Sequence, residues 1–272
     1  MPPVIHPASI EIVVPAHNEV ARLPAGLAAL CGKAATLPLR TAIIVVDSAS
    51  TDGTGRLVRE WPPGPVPVGL LRCEQPGKGR AVRAGLLATR APFVGYCDAD
   101  MATDLSALDQ ALRLLAAGDS VVIGSRALRA SVVEARNSAA RRAGAAVFRA
   151  LARRIVPGVT DTQCGFKFFS GPLVRQAVLP LRTAGFAFDV ELMANCLRLG
   201  ATLTEIPVRW RDMPNSTFSV RRHSVAAMRD VVSLWMRPAA SGAGEPAPAW
   251  HPPLHIARAP ADLTPLPAGA AQ

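Results

Sequence analysis

Two aspartates, Asp98 and Asp100, stand one residue apart in the stretch YCDADMATD at 96–104, just after the apolar run APFV. In an extended chain, residues two apart face the same way about 7 Å apart, so both carboxylates can converge on one divalent cation, or on a cation and a ribose hydroxyl. Mg²⁺ and Mn²⁺ suit such a place, because substrate phosphates and water complete a shell that needs only one or two protein carboxylates. A solvated acidic turn with Thr103 and Asp104 as helix caps fits the same letters. Two further acidic clusters follow β-branched runs: PAHNE at 15–19 and VVDSASTDGT at 45–54. Asp47 can accept from a base N–H or hold a ribose, and Pro15 and Ala16 let the backbone approach a flat ring. Asn18 and Asp52 can equally cap helices. In PGKGRAVRAG at 76–85, glycines flank Lys78 at a helix start, where N–H groups, the helix dipole and a cation favour phosphate. The stretch contains neither GxxxxGK[ST] nor GxGxxG, and an ordinary turn with a solvated lysine reads the same way.

These clusters must be held by an alternation of strands and helices. IEIVV at 10–14 and AIIVV at 42–46 lack strict alternation, as parallel strands covered on both faces do. Between them Leu23, Leu27 and Leu30 recur at helical spacing within 19–32. The pattern continues with a strand at 67–72, a helix at 79–89, a strand at 93–97, a helix at 105–117 and a strand at 120–124. It predicts an α/β fold with an open, mostly parallel sheet and its site at the carboxyl ends of the strands. Further on come a basic helix at 137–155, the run DTQCGFKFF, helices near 171–178 and over AFDVELMANCLRLG, a strand LTEIPVRW, and a last helix near 225–236. The organisation expected is one domain over 1–237 and a Pro- and Ala-rich mobile tail over 238–272.

Half of the 272 residues are hydrophobic, enough for a sizeable core. The formal charge of +10 points to an anionic partner: nucleotide phosphates, a phospholipid surface or nucleic acid. Nucleic acid is disfavoured, because aromatics make up 5% of the chain with a single Tyr, and because that reading leaves the paired aspartates unexplained. Cysteines 31, 73, 97, 164 and 196 are odd in number and never form CxxC, which argues against a disulfide framework or zinc site and for a reducing cytosol. No signal peptide and no membrane-spanning apolar run is expected, so the protein reads as cytoplasmic, free or peripheral at a membrane. Two basic amphipathic stretches fit a lipid surface or a helix packed with a solvated face. The first joins Arg141, Arg142, Arg149, Arg153 and Arg154 to Val147, Phe148, Leu151 and Ile155; the second flanks Val225, Met228, Val232 and Trp235 with Arg221, Arg222, Arg229 and Arg237.

In order, PAHNE, VVDSASTDGT, GKGRAVRAG, DAD, IGSR, DTQCGFKFF, GFAFDVEL and EIPVRW resemble the family-2 glycosyltransferases. Within them the chain is most similar to the dolichyl-phosphate β-glucosyltransferase and polyprenyl-phosphate mannosyltransferase branch. The resemblance implies a GT-A fold and an inverting, metal-dependent transfer of a hexose from a nucleotide sugar to a polyprenyl phosphate. UDP-glucose is the favoured donor, GDP-mannose the second, and Mg²⁺ or Mn²⁺ the cofactor. By the same resemblance Pro15, Ala16, Asn18, Glu19 and Asp47 form the nucleoside pocket, and Lys78 lies near the donor. Asp98 and Asp100, with Ala99 between them, bind metal and diphosphate. Arg126 faces phosphate, Asp161 lies near the transfer site with Lys167 as a nearby cation, and Asp189 and Glu191 form an acidic pair beneath the acceptor. Arg126 and Lys167 can instead be structural ion-pair partners, and Asp189 and Glu191 can merely orient neighbours. The family's Asp-Asp-Gly-Ser turn is Asp47-Ser48-Ala49-Ser50 here, and NSTFS at 215–219 replaces a GSK-like segment. A soluble hydroxyl acceptor, with Asp161 or Asp189 as general base, and a non-catalytic nucleotide-sugar-binding protein are the alternatives. A sugar nucleotidyltransferase would carry a Gly-rich, Arg-containing loop where PAHNE stands.

Overall fold

The structure is a computed structural model that describes residues 8–134, 139–212 and 220–236, with side chains placed outside 139–143 and 220–225. Its elements run β1 (Ile10–Ala16), α1 (Leu23–Ala35), β2 (Thr41–Ser48), α2 (Thr54–Arg59), β3 (Val68–Cys73), α3 (Lys78–Ala88), β4 (Phe93–Cys97), α4 (Ala107–Ala116) and β5 (Val121–Ser125). There follow β6 (Val132–Glu134), α5 (Ala139–Ile155), β7 (Phe166–Ser170), α6 (Gly171–Ala177), α7 (Phe188–Arg198), β8 (Leu203–Pro207), β9 (Arg209–Arg211) and α8 (Val220–Met236). Seven strands form one sheet in the order β3-β2-β1-β4-β7-β5-β8, parallel except for β7, which runs antiparallel to both its neighbours. β6 and β9 form a separate parallel pair.

The unbroken apolar runs follow from burial on both faces. Ile10, Ile12 and Val14 of β1 pack with Leu23, Leu27 and Leu30 of α1 on one side of the sheet. Val13 and Val46 pack with Ala81 and Val82 of α3 on the other. Successive strand residues point to opposite faces, so a strand sandwiched between helix layers is apolar at nearly every position; the exception in β1, Glu11, is partly exposed and accepts from Arg90 N–H and Ala91 N–H.

β1 sits between β2 and β4, where the chain order reverses. Its ladder with β2 runs as far as Ala16 opposite Asp47, whereas its ladder with β4 stops at Val13 opposite Tyr96. The strands part beyond that point, where Pro15 has no N–H to offer a neighbour. This switch-point crevice at the carboxyl ends is where open α/β sheets place their ligands.

Several sequence expectations change in detail. α1 begins at Leu23 rather than near residue 19, because the Glu19 carbonyl accepts from Arg22 and Leu23 in a turn and Pro24 suits a helix start. The single strand expected from LTEIPVRW divides at Val208, β8 joining the large sheet and β9 the small one. α2 is six polar-rich residues, TGRLVR, and β6 is three, too short for periodicity to reveal. The five cysteines are free, as their spacing predicts. Segments 215–219 and 238–272 lie outside the described residues, as do the side chains of Arg141, Arg142, Arg221, Arg222 and Val225 and the whole of Arg237.

Candidate active site

Three non-glycine residues with positive φ mark the ends of three strands: Asn18 (54°) after β1, Ala49 (53°) after β2 and Met101 (46°) after β4. Left-handed backbone is uncommon outside glycine and persists where surrounding contacts hold it, often at functional sites. Here those contacts tie the first two loops together. Asn18 N–H donates to Ser50 Oγ (2.9 Å), and Asn18 Oδ1 accepts from Thr51 N–H (2.9 Å). Glu19 N–H donates to Thr54 Oγ1 (2.9 Å), and His17 Nδ1 lies 2.6 Å from the Ser48 carbonyl. Asp52 accepts from Thr54 N–H and Val20 N–H and so joins the two loops, whereas the helix-cap position of α2 falls to Gly53. Asp47 is 1% exposed; one oxygen accepts from Ser50 N–H (3.1 Å) and the other lies 3.8 Å from Arg72. Pro15 and Ala16 close β1 opposite Val46 and Asp47, so all the residues assigned to the nucleoside pocket share one edge of the crevice.

Asp98 and Asp100 lie across the crevice, in the turn after β4. Asp98 N–H bonds the Gly165 carbonyl (3.0 Å), and its carboxylate rests on Gly165, where any Cβ would overlap it. Lys78 Nζ lies 2.6 Å from Asp98 Oδ1 as an ion pair, off the hydrogen-bonding direction, so that this buried oxygen accepts no aligned hydrogen bond. Arg22 Nη1 is 3.9 Å from Asp100, and the Arg22 guanidinium also bonds Glu19. Burial, then the charge of Asp98, pushes the Asp100 carboxyl up from its ordinary value, and burial likewise raises Glu19 against the pull of Arg22. Burial lowers the Lys78 ammonium, but Asp98 and Asp189 outweigh it and leave it raised. The residues fit a divalent cation: two carboxylates supplying hard oxygen donors, one oxygen of Asp98 ion-paired but without a hydrogen bond, held close enough for each charge to disfavour the other. Among the described residues no third His, Cys, Asp or Glu joins them, so the rest of a shell would come from phosphate and water.

Arg126, one residue past β5, grips Asp161 with both prongs, Nε to Oδ2 at 2.7 Å and Nη2 to Oδ1 at 2.9 Å, and adds its own N–H at 3.0 Å. Burial raises the Asp161 carboxyl, but the Arg126 hydrogen bonds and charge prevail and hold it down at about 2. The guanidinium also lies 5.5 Å from the Trp210 ring centroid. Glu205 of β8, which the sequence reading left without a role, accepts from Thr160 N–H and Asp161 N–H at 2.9 Å each and fixes this loop from beneath.

Lys167 and Asp189 lie buried behind the site, near enough that the Asp189 charge acts on Lys78 and the Lys167 charge on Asp161. β7 places Lys167 opposite Tyr96 of β4, so its side chain enters the core with no exposed surface. Its Nζ donates to Asp189 Oδ1 (2.6 Å), the Cys164 carbonyl (2.6 Å) and Tyr96 Oη (2.9 Å), while Tyr96 Oη also donates to Asp189. Glu191, one turn along α7, accepts from Thr183 N–H (2.7 Å) and Arg182 N–H (3.2 Å) and shapes the loop before that helix. The structure thus gathers Pro15, Ala16, Asn18, Glu19, Asp47, Lys78, Asp98, Ala99, Asp100, Arg126 and Asp161 around the strand ends and sets Lys167, Asp189 and Glu191 behind them. Arg22, Tyr96 and Glu205 were not singled out by the sequence; for Arg22 the signal was its i+3 spacing from Glu19, and for Glu205 its place in EIPVRW. The phosphate cradle read at the start of α3 is partly spent, since Gly77 N–H bonds Ser48 Oγ and Gly79 N–H bonds the Ala184 carbonyl. A separate groove against α2, lined by Val20, Asp52, Arg56, Leu57 and Trp61, shares none of these residues.

Known proteins agree with this architecture. A dolichyl-phosphate beta-glucosyltransferase of Drosophila melanogaster is 34% identical over 84% of this chain and 74% of its own, and one of Dictyostelium discoideum is 30% identical over the same shares. Among solved structures, glucosyl-3-phosphoglycerate synthase from Mycobacterium tuberculosis, in complex with UDP, superposes with a TM-score of 0.63 at 21% identity, over 86% of this chain and 82% of that one. Mannosyl-3-phosphoglycerate synthase from Rubrobacter xylanophilus gives 0.60 at 17%, over 86% and 79%. These likenesses support the GT-A fold. The family described as Glycosyl transferase family 2 matches residues 11–179, from the first strand through the acidic pair to the Arg126–Asp161 clamp, and the chain belongs to that family.

Proposed function

We propose that the protein transfers glucose, with inversion, from UDP-glucose to a polyprenyl phosphate at the cytoplasmic surface of a membrane. The observation that carries this reading is the pair Asp98 and Asp100, set where β1 and β4 part and facing the Asp47 edge of the crevice. The names of the relatives supply the glucosyl group and the lipid-phosphate acceptor, and the M. tuberculosis neighbour, solved with Mn²⁺ and UDP and with UDP-glucose, suggests the donor.

Asp98 and Asp100 would hold the divalent ion, which when bound offsets negative charge developing on the departing diphosphate. The Asp47 edge receives the nucleoside, with Asn18 fixing the loop around it. Lys78 and Arg22 bring positive charge to the diphosphate side. Neither sequence candidate for a general base suits that task. Asp161, held at about 2 by Arg126, is a weak proton acceptor near neutral pH, and Asp189 is enclosed with Lys167 and Tyr96 at 2% exposure. A phosphate acceptor is anionic already and needs no base, which favours it over a hydroxyl.

Contact with the membrane is supported by α5 and α8, which pack together and between them expose Val147, Trp235 and Met236 as well as Arg153, Arg154 and Arg229. Among the described residues no helix is long and apolar enough to cross a membrane. The test is incorporation of labelled glucose from UDP-glucose into solvent-extractable polyprenyl phosphate with Mn²⁺ or Mg²⁺. Expected is metal-dependent product that is lost in Asp98→Asn and Asp100→Asn. Label appearing only in a water-soluble glycoside would overturn the lipid acceptor, and preference for GDP-mannose would overturn the donor.

A further inference from the structure

We infer that Lys78 serves as the resident counter-cation of Asp98, so that a divalent ion enters this site together with a nucleoside diphosphate that draws Lys78 away, and not alone. This rests on the donor reading above and adds to it an order of events.

The ammonium of Lys78 stands 2.6 Å from the carboxylate oxygen that has no aligned donor, in the place a metal ion would claim. Arg22, held by Glu19, reaches Asp100 only distantly, its Nη1 at 3.9 Å. With Glu19 bonded to Arg22, three carboxylates already face two cations, and a bare divalent ion would turn that slight negative excess into a positive one while competing with Lys78 for Asp98. A nucleoside diphosphate arriving with the metal restores the balance and gives the displaced ammonium a new anionic partner. The backbone of Lys78 cannot retreat to make room. Gly79 is wedged against Thr183 and Phe188, where a Cβ would overlap both, and its N–H bonds the Ala184 carbonyl at 2.9 Å. Only the side chain is left to swing, on a flexible stem whose Nζ lies 5.8 Å from the Phe186 ring centroid. Lys78 is thus a positioning residue that makes metal affinity depend on the nucleotide.

The experiment measures Mn²⁺ binding to the full chain by the electron-spin signal of free Mn²⁺, with and without UDP. In the wild type, UDP should tighten Mn²⁺ binding by about tenfold or more, and Mn²⁺ should tighten UDP binding by the same factor. Lys78→Met should bind Mn²⁺ alone about tenfold more tightly than the wild type and lose most of the coupling to UDP. Lys78→Arg, which keeps the charge, should retain the wild-type order. Equal Mn²⁺ affinity with and without UDP in the wild type would overturn the inference, as would an unchanged Mn²⁺ affinity in a folded Lys78→Met. If Lys78→Met does not fold, Lys78→Gln takes its place, and the wild-type coupling remains decisive. Tight wild-type binding of UDP with Mn²⁺ alongside an unchanged Lys78→Met would leave the donor reading standing. Absence of UDP binding under every condition would remove both.

Discussion

Replacement of Asp161 by Asn tests whether the Arg126 clamp is held by ionisation or by packing. The Asp161 carboxyl falls from the ordinary 3.8 to about 2 on folding, and its side chain is only 5% exposed, so solvent screening is slight. At 1.36 kcal/mol per pH unit the depression corresponds to about 2 kcal/mol of stability in the wild type at neutral pH. Because the folded value is the lower one, this contribution is complete above the unfolded value and disappears as pH falls through the folded value; about 1 kcal/mol of it is gone by pH 3. In the variant, Arg126 loses its charged partner while remaining largely covered, so a deficit of about 2 kcal/mol or more is expected at pH 7. Urea unfolding of wild type and Asp161→Asn at pH 7, 5 and 3 provides the assay. The gap should stay constant from pH 7 to 5 and narrow by about 1 kcal/mol at pH 3. A gap of equal size at all three values would refute the reasoning, since the loss would then come from shape and neutral hydrogen bonds.

Three further outcomes can be checked. Lys167→Met leaves the Asp189 charge enclosed and should cost about 3–5 kcal/mol in chemical denaturation, whereas Lys167→Met with Asp189→Leu should recover a large part of that. Gly165→Ala drives a methyl group into the Asp98 carboxylate and should abolish the thermal shift given by UDP with Mn²⁺, with far-UV circular dichroism unchanged. Glu205→Gln weakens the support of Thr160 and Asp161 and should lower stability by about 1–2 kcal/mol, read by the same urea titration.

The repeating frame was legible because its signal is local. IEIVV and AIIVV are apolar at every position but Glu11, without the strict alternation of a strand covered on one face, and the leucines of α1 recur at the spacing of one helix face. The acidic clusters were legible for the same reason, since each directly follows such a run. Lys167 was not, because its position depends on β7 lying antiparallel to β4 and bringing residue 167 opposite Tyr96, a register that no spacing within DTQCGFKFF encodes. The division of LTEIPVRW was hidden likewise, for Val208 sits between two ladders whose partners are distant in the chain. Glu205 acts through Thr160 and Asp161, neighbours that only the fold supplies, whereas the Arg22–Glu19 pair is local and shows in its i+3 spacing.

β7 has a consequence for how the chain acquires its shape. As the polypeptide leaves the ribosome, the outer border of β4 and the inner border of β5 have no mate until residues 166–170 emerge, some seventy residues after β4 itself. Both borders are apolar, and such open edges invite pairing with other chains. The insertion that closes them also seats Lys167 beneath Asp189 and Gly165 beneath Asp98. A chain stopped before that strand should therefore be both sticky and blind to its donor, and the maturing enzyme should gain solubility and ligand recognition in a single late step.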